Sequence, residues 1–211
     1  MQAFDRKTHW QNIYEQKEAT EVSWFQSKPT VSLEFIANCG LERSDPVIDV
    51  GGGASVLVDY LLETGHTNVT VLDISEAALA ASRKRLGPNA SAVSWVESDV
   101  TAFSPNSQFA LWHDRAVFHF LVDAEDRQRY VRALERALRV GGHLILASFA
   151  IGGPEKCSDL PIIQYDSQKL KAELGSGFKL VEERTEEHCT PAQGVQKFAY
   201  FCFERISKNE A

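Results

Sequence analysis

The spacing of apolar residues changes along the chain, and each change predicts a different element. Over residues 8–18, Trp10, Ile13 and Tyr14 fall three or four apart among polar neighbours, the spacing of a short amphipathic helix. "SKPTVSLEFIANCG" reads as a second helix, with Pro29 near its start and Gly40 just past its end. From Pro46 the rhythm becomes alternating strand and helix. "PVIDV" is a buried strand, "ASVLVDYLLETG" a helix ending at Gly65, and "NVTVLDIS" a second strand. "EAALAASRKRLG" is a helix stopped by Gly87-Pro88, "SAVSWVESDV" a third strand and "QFALWHDRA" a fourth. "DAEDRQRYVRALERALRVGG" is a long helix with Asp123 as N-cap, closed by Gly141-Gly142, and "HLILASFA" is a fifth strand.

After Ala150 the alternation stops. "IGGPEKCSDLP" is a turn-rich loop and "DSQKLKAEL" a short helix. "FKLVEERTEEH" and "QKFAYFCFER" are strands joined only by "CTPAQG", so they must be antiparallel. Strand–helix alternation implies a parallel sheet with helices on both faces. The expectation is an α/β fold, mostly parallel, with an antiparallel hairpin at its end.

The turn "VIDVGGGAS" at 47–55 carries the first chemical signal. No lysine follows the glycines, so a phosphate-binding P-loop is excluded. A dinucleotide turn, G-x-G-x-x-G counted from Gly51, has Gly53 in place but Val56 where the third glycine packs helix on strand. Starting at Asp49, the turn reads D-x-G-x-G, which suits a ligand with a cationic group, and the glycines let backbone approach it closely. Asp73 ends the second strand, where a carboxylate accepts from both hydroxyls of a ribose. Asp99 follows the third strand and can accept from an adenine amino group. All three acids fall at the carboxyl ends of strands, where open α/β sheets bind ligands. A positively charged adenosine compound without a phosphate cradle fits these positions, and S-adenosylmethionine is one.

Composition narrows the alternatives. The 211 residues suffice for one domain with a substantial core. A net charge of −7 argues against a nucleic-acid partner, which needs a basic face. No apolar run approaches the ~18 residues of a membrane span. The opening "MQAFDRKTHWQNIYEQ" lacks the apolar centre of a signal peptide. A cytoplasmic chain without a membrane partner is therefore expected. Cys39, Cys157, Cys189 and Cys202 form no C-x-x-C pair, so four free thiols and no metal site are expected.

"VIDVGGGAS", "VTVLDIS", "VESDV" and "VGGHLIL", in this order and spacing, resemble the successive motifs of class I S-adenosylmethionine-dependent methyltransferases. The resemblance covers roughly residues 45–205, and Ser55 stands where the commonest pattern has a further glycine. It implies a Rossmann-like doubly wound sheet of seven strands in the order 3-2-1-4-5-7-6, the last antiparallel, behind an N-terminal helical lid. The corresponding divisions are 1–44 for the lid, 45–206 for the cofactor-binding domain and 207–211 for a tail. It also implies that Asp49 and Gly51 lie beside the methionine moiety, Asp73 at the ribose, and Asp99 with Val100 around the adenine. Gly53, Ile74 and His113 are expected in the same cofactor site.

"HWQNIYEQ" and "EVSWFQSKP" resemble the lead of several small methyltransferases, in which a Trp and a Tyr four apart lie over the cofactor. Trp10, Tyr14, Trp24 and Phe25 are thus cofactor-site candidates, or ordinary packing of a helix on the sheet. After the fourth strand, Asp114 and Arg115 are candidates for contact with the substrate or the cofactor's methionine end, or for a local ion pair, and His119 for a general base or a core histidine; these three are also the candidate catalytic residues. Cys157, in the loop after the fifth strand, is a soft-substrate contact or a free surface thiol. The expected activity is methyl transfer to nitrogen, oxygen, sulfur or another chalcogen of a small molecule, with a protein lysine as the alternative acceptor. A non-catalytic adenosine-ligand module and an NAD-dependent oxidoreductase are the remaining readings.

Overall fold

The computed structural model describes residues 5–207. A central sheet contains β1 (Val47–Val50), β2 (Val69–Asp73), β3 (Val93–Glu97), β4 (Phe109–Arg115), β5 (Leu138–Phe149), β8 (Phe178–Cys189) and β9 (Val195–Arg205). Their order is β3-β2-β1-β4-β5-β9-β8. The first five are parallel, while β9 runs antiparallel to β5 and β8. The strands β6 (Lys156–Cys157) and β7 (Leu160–Pro161) form a separate small ribbon. Setting that ribbon aside, the order is the expected 3-2-1-4-5-7-6.

Every residue of β1 and β2 is buried, because helices cover both faces of the sheet. On one face, Phe35 and Ile36 of α2 (Thr30–Asn38) and Leu57 and Leu61 of α3 (Leu57–Glu63) pack with Phe149, Phe198 and Tyr200. On the other, Tyr130 and Leu134 of α5 (Ala124–Ala137) and Leu170 of α6 (Ser167–Leu174) pack with Trp112, Phe118, Tyr165 and Phe203. The helix α4 (Glu76–Leu86) is capped by Ser75, whose hydroxyl accepts from the Ala78 amide, and it ends at Gly87 as expected. Ahead of the sheet, α1 (Arg6–Gln16) is capped by Asp5. Of the expected tail 207–211, all but Ser207 lies outside the described residues.

Two expectations change. Asp123 occupies the N-cap position of α5, but its side chain makes no capping hydrogen bond. The helix then stops at Ala137, before Gly141-Gly142. Leu138 already pairs with Phe109, and His143 with Leu111, so residues 139–142 bulge opposite Ala110 alone. Gly141 has φ +75°, and a Cβ on Gly142 would stand 3.0 Å from the Ala110 carbonyl. The glycine pair shapes a bulge in β5. Among the described residues no helix is long and apolar enough to cross a membrane, and no group of three metal-ligating side chains assembles. All four cysteines are free, with Cys39 and Cys202 sulfurs 4.0 Å apart.

Trp112, Tyr130 and Asp114 form a fully buried polar chain between β4 and α5. The Trp112 Nε1–H donates to the Tyr130 hydroxyl at 2.8 Å, which donates to Asp114 Oδ2 at 2.6 Å. Tyr130→Phe leaves both neighbours short of a partner, and the expected loss is about 1–3 kcal/mol. Urea denaturation of the two proteins measures it.

Candidate functional site

Across the carboxyl ends of the parallel strands lies a cleft of about 770 Å³, its open mouth included. Gly51 and Val50 after β1, Asp73 and Ile74 after β2, and Asp99 and Val100 after β3 form its floor. Arg115 ends β4, and Ala116, Val117, Phe120 and Leu121 follow it along the wall. Trp10, Tyr14 and Trp24 lie across the top, with Arg6 at one end and Cys157 at the other. A second cavity shares Tyr14, Trp24, Val50, Gly51 and Arg115 and adds Phe25, Ser32, Asp49, Gly52 and His113. The two cavities are neighbours that share these five residues as a common wall.

The glycine turn makes this possible. Gly51 has φ +68°, and a Cβ there would stand 2.0 Å from Val117 Cγ2. Gly53 serves packing instead, because its bare Cα meets Asp73 Oδ2 and Ala78, and a Cβ would lie 2.5 and 2.9 Å from them. Gly53 does not line the cleft; it lets β2 and α4 approach the turn.

Asp49 is buried on β1 and braced from behind. Its Oδ1 lies 2.7 Å from His113 Nδ1, and His113 Nε2 lies 2.9 Å from the Ser32 hydroxyl on α2. A carboxylate only accepts, so Nδ1 carries the proton and, in the neutral ring, Nε2 accepts from Ser32. The order Ser-His-Asp resembles a hydrolytic triad, but Ser32 is wholly buried and no nucleophile is presented. The second oxygen of Asp49, Oδ2, is buried and has no hydrogen-bond partner among the described residues. It lies against Gly52, at 2.5 Å from where a Cβ would stand.

Asp73 Oδ1 accepts from the Ser75 amide at 2.8 Å. Burial pushes its pKa up to about 7, despite backbone donors that pull it down. Asp99 turns part of its capacity inward: Oδ1 accepts from the Thr101 amide and hydroxyl, and Oδ2 is 3.5 Å from Arg6. Arg6 also pairs with Asp126, and Lys7 with Glu97 at 2.6 Å, so α1 is clasped over the cleft by ion pairs. Gln11 accepts from the Ser75 hydroxyl and the Ala77 amide, both at 3.1 Å.

The aromatic segment is held through its backbone. Arg115 donates to the Trp24 carbonyl at 2.9 Å, His188 to the Ser23 carbonyl at 2.8 Å, and Tyr60 to the Ser27 carbonyl at 3.2 Å. The Trp24 indole donates to the Tyr14 hydroxyl at 3.2 Å, and Trp10 meets Trp24 and Phe120 edge-on.

The candidates after β4 separate. Strand alternation sends Asp114 to the opposite face from His113 and Arg115. Asp114 accepts from Tyr130 and from the Val117 and Phe118 amides, fully buried and outside the cleft. It fixes the loop and does not reach a substrate. His119 is also fully buried, edge-on to Phe120 and tilted against Phe149, and burial lowers its pKa to about 3. It is a core histidine. Cys157 is the opposite correction: the β6–β7 ribbon folds back, so the thiol is 6% exposed in the cleft wall and not on the surface. Burial raises its pKa to about 12, so it is a protonated thiol at neutral pH. Arg6, Ser32, His188 and Tyr200 are not readable as site residues from the chain, since no local motif marks them.

A family profile described as "Methyltransferase domain" matches residues 47–142. Among curated proteins, the chain is similar to mouse eEF1A lysine and N-terminal methyltransferase, 22% identical over 154 residues. That match covers 70% of this chain, which spans only 22% of the mouse protein's length. Nodulation protein S of Rhizobium tropici is 36% identical over 101 residues, 48% of this chain and 42% of that protein. Among solved structures, N-methyltransferase NodS of Bradyrhizobium japonicum, in complex with S-adenosylhomocysteine, superposes with TM-score 0.70 at 17% identity, covering 96% of this chain and 100% of that one. The 1,6-didemethyltoxoflavin-N1-methyltransferase of Burkholderia thailandensis, with its acceptor and S-adenosylhomocysteine bound, gives 0.68 at 20% identity, covering 95% and 84%. With the profile running from β1 into β5 and the sheet in this order, the chain carries a class I S-adenosylmethionine-dependent methyltransferase domain.

Proposed function

We propose that this protein methylates a small molecule at nitrogen, oxygen or sulfur, beneath a roof formed by residues 6–28. The observation that carries the reading is the roof itself. Trp10, Tyr14 and Trp24 cross the cleft and are clasped at both ends, which favours an enclosed acceptor over a long protein segment. The NodS and didemethyltoxoflavin enzymes, both N-methyltransferases, support the same acceptor class. The mouse eEF1A relative keeps a protein lysine as the second reading.

The residues fit the cofactor. The partnerless Asp49 Oδ2 suits the ammonium of the methionine end, held in place by His113 and Ser32. The buried Asp73 carboxylate, raised in pKa by burial, would gain donors from ribose hydroxyls. Ile74 and Val100 offer apolar walls to the adenine and Asp99 an acceptor. Trp10, Tyr14, Trp24 and Phe25 line the two cavities, and an aromatic face there would attract a sulfonium. When bound, S-adenosylmethionine supplies an electrophilic methyl group on a sulfonium, and displacement leaves a neutral thioether. The protein's part is alignment and exclusion of water. Asp114 and His119 lie outside the cleft, and the Cys157 thiol is protonated, so none of these is a base at neutral pH.

Screening amines, thiols and phenols beside lysine-bearing peptides for S-adenosylhomocysteine release tests the reading. Turnover with small acceptors alone is expected, and turnover confined to the peptides would sink it. Gly51→Ala should lose S-adenosylhomocysteine binding in calorimetry while circular dichroism stays unchanged, because the new Cβ collides with Val117 inside the cleft. Binding also carries a pH signature. Hydroxyl donors favour ionised Asp73, so below its free pKa of about 7 binding must expel a proton. S-adenosylhomocysteine affinity should fall as pH drops from about 8 to about 6, by up to about tenfold per pH unit. A calorimetric pH series shows it, and Asp73→Asn should flatten the profile.

A further inference from the structure

Arg115 has more donors than the protein uses. Its Nε donates to the Tyr200 hydroxyl and its Nη1 to the Trp24 carbonyl, both at 2.9 Å. The guanidinium stacks on Phe198, 4.4 Å from the ring centre. Nη2 is buried and has no hydrogen-bond partner among the described residues. No ion pair to Arg115 occurs among them either; Glu186 is reached only through Tyr200, which donates to it at 2.9 Å. A guanidinium held among aromatic rings without a counter-charge is costly, and an anion in the cleft would offset that cost. Burial is the main reason that His119 and His188 nearby resist protonation, and the Arg115 charge adds to it.

The location says which anion. Arg115 leaves β4 on the face of His113 and leans toward β9, which carries both Phe198 and Tyr200. Arg115 belongs to β4, next to β1, and lines the second cavity with Asp49, but its guanidinium is held on β9, which stands three places from β1 in the sheet, about 14 Å away. The cofactor-side acids Asp49 and Asp73 belong to β1 and β2, and Asp99 follows β3, all on the other half of the sheet. Beside Arg115 the cleft is walled by Cys157, Trp24 and Phe120.

Building on the methyltransferase reading, we propose that Arg115 is the receptor for a carboxylate carried by the methyl acceptor. Nη2 supplies the charged donor, and the aromatic wall takes the acceptor's apolar body. A purely structural Arg115, a strut between β9 and the roof, accounts for Nε and Nη1 but predicts no preference for anions.

The test uses the full chain loaded with S-adenosylhomocysteine and two matched probe pairs, benzoate against benzamide and propionate against propionamide. Binding is followed through the Trp24 indole resonance. At least one acid should bind roughly tenfold more tightly than its amide, the scale of a charge-assisted hydrogen bond in a poorly solvated site. With S-adenosylhomocysteine kept saturating for each protein, Arg115→Met should erase that preference. Arg115→Lys should keep part of the preference, and it serves if the methionine variant does not fold. Equal binding of acids and amides to the wild-type protein overturns the proposal. So does an Arg115→Met protein, saturated with S-adenosylhomocysteine, that keeps the wild-type ratio of acid to amide binding. Failure of the wild-type protein to bind S-adenosylhomocysteine strikes the methyltransferase reading instead.

Discussion

The contact between Asp49 and His113 is the constraint on which the site depends. A carboxylate in the middle of a doubly covered sheet is expensive unless it is paired. His113, one strand away on β4, supplies that pairing at 2.7 Å and is itself tied to Ser32 on α2. Three elements that are remote in sequence are thereby locked around one oxygen pair. Because Oδ1 is taken from behind, Oδ2 is left facing the glycine turn. The cost of one buried charge is thus converted into a fixed acceptor.

Around that acceptor the cleft is assembled by the absence of side chains. Gly51 removes one that would fill it, and Gly53 removes one that would push Asp73 and α4 away. Asp114, turned to the other face, holds the Val117 and Phe118 amides and so sets the wall that Gly51 approaches. Neighbouring residues of one strand therefore serve opposite layers: His113 and Arg115 the ligand side, Asp114 the core.

The roof follows different physics. Segment 17–28 has little regular structure, and it is held by its carbonyls against Arg115, His188 and Tyr60. Such anchoring fixes the rings of Trp10, Tyr14 and Trp24 without fixing the identity of each roof residue. It also brings the antiparallel hairpin, far from the cofactor acids, into the site. Under the proposed assignment, one half of the sheet serves the methyl donor and the other half the acceptor.

Much of the architecture is legible in the chain. Continuous apolar runs such as "VIDV" and "VTVLD" are what a strand buried on both faces requires, and a five-residue turn leaves β8 and β9 no choice but to be antiparallel. Asp49, Asp73 and Asp99 are readable because strand ends place them at one edge. The break at Gly141-Gly142 reads as a helix stop, since a local pattern does not distinguish a cap from a bulge whose partner, Ala110, is distant in sequence. The roles of Asp114, His119 and Cys157 are likewise undecided by spacing. Only packing determines which layer each side chain enters, because burial and charge pairing are set by neighbours that the chain brings together late. By itself, then, the sequence determined the sheet, its ligand edge and the family of donor. The tertiary structure alone decided that Arg115 and Cys157 face the cleft, that Asp114 and His119 do not, and that Ser32 and His188 belong to the site's support.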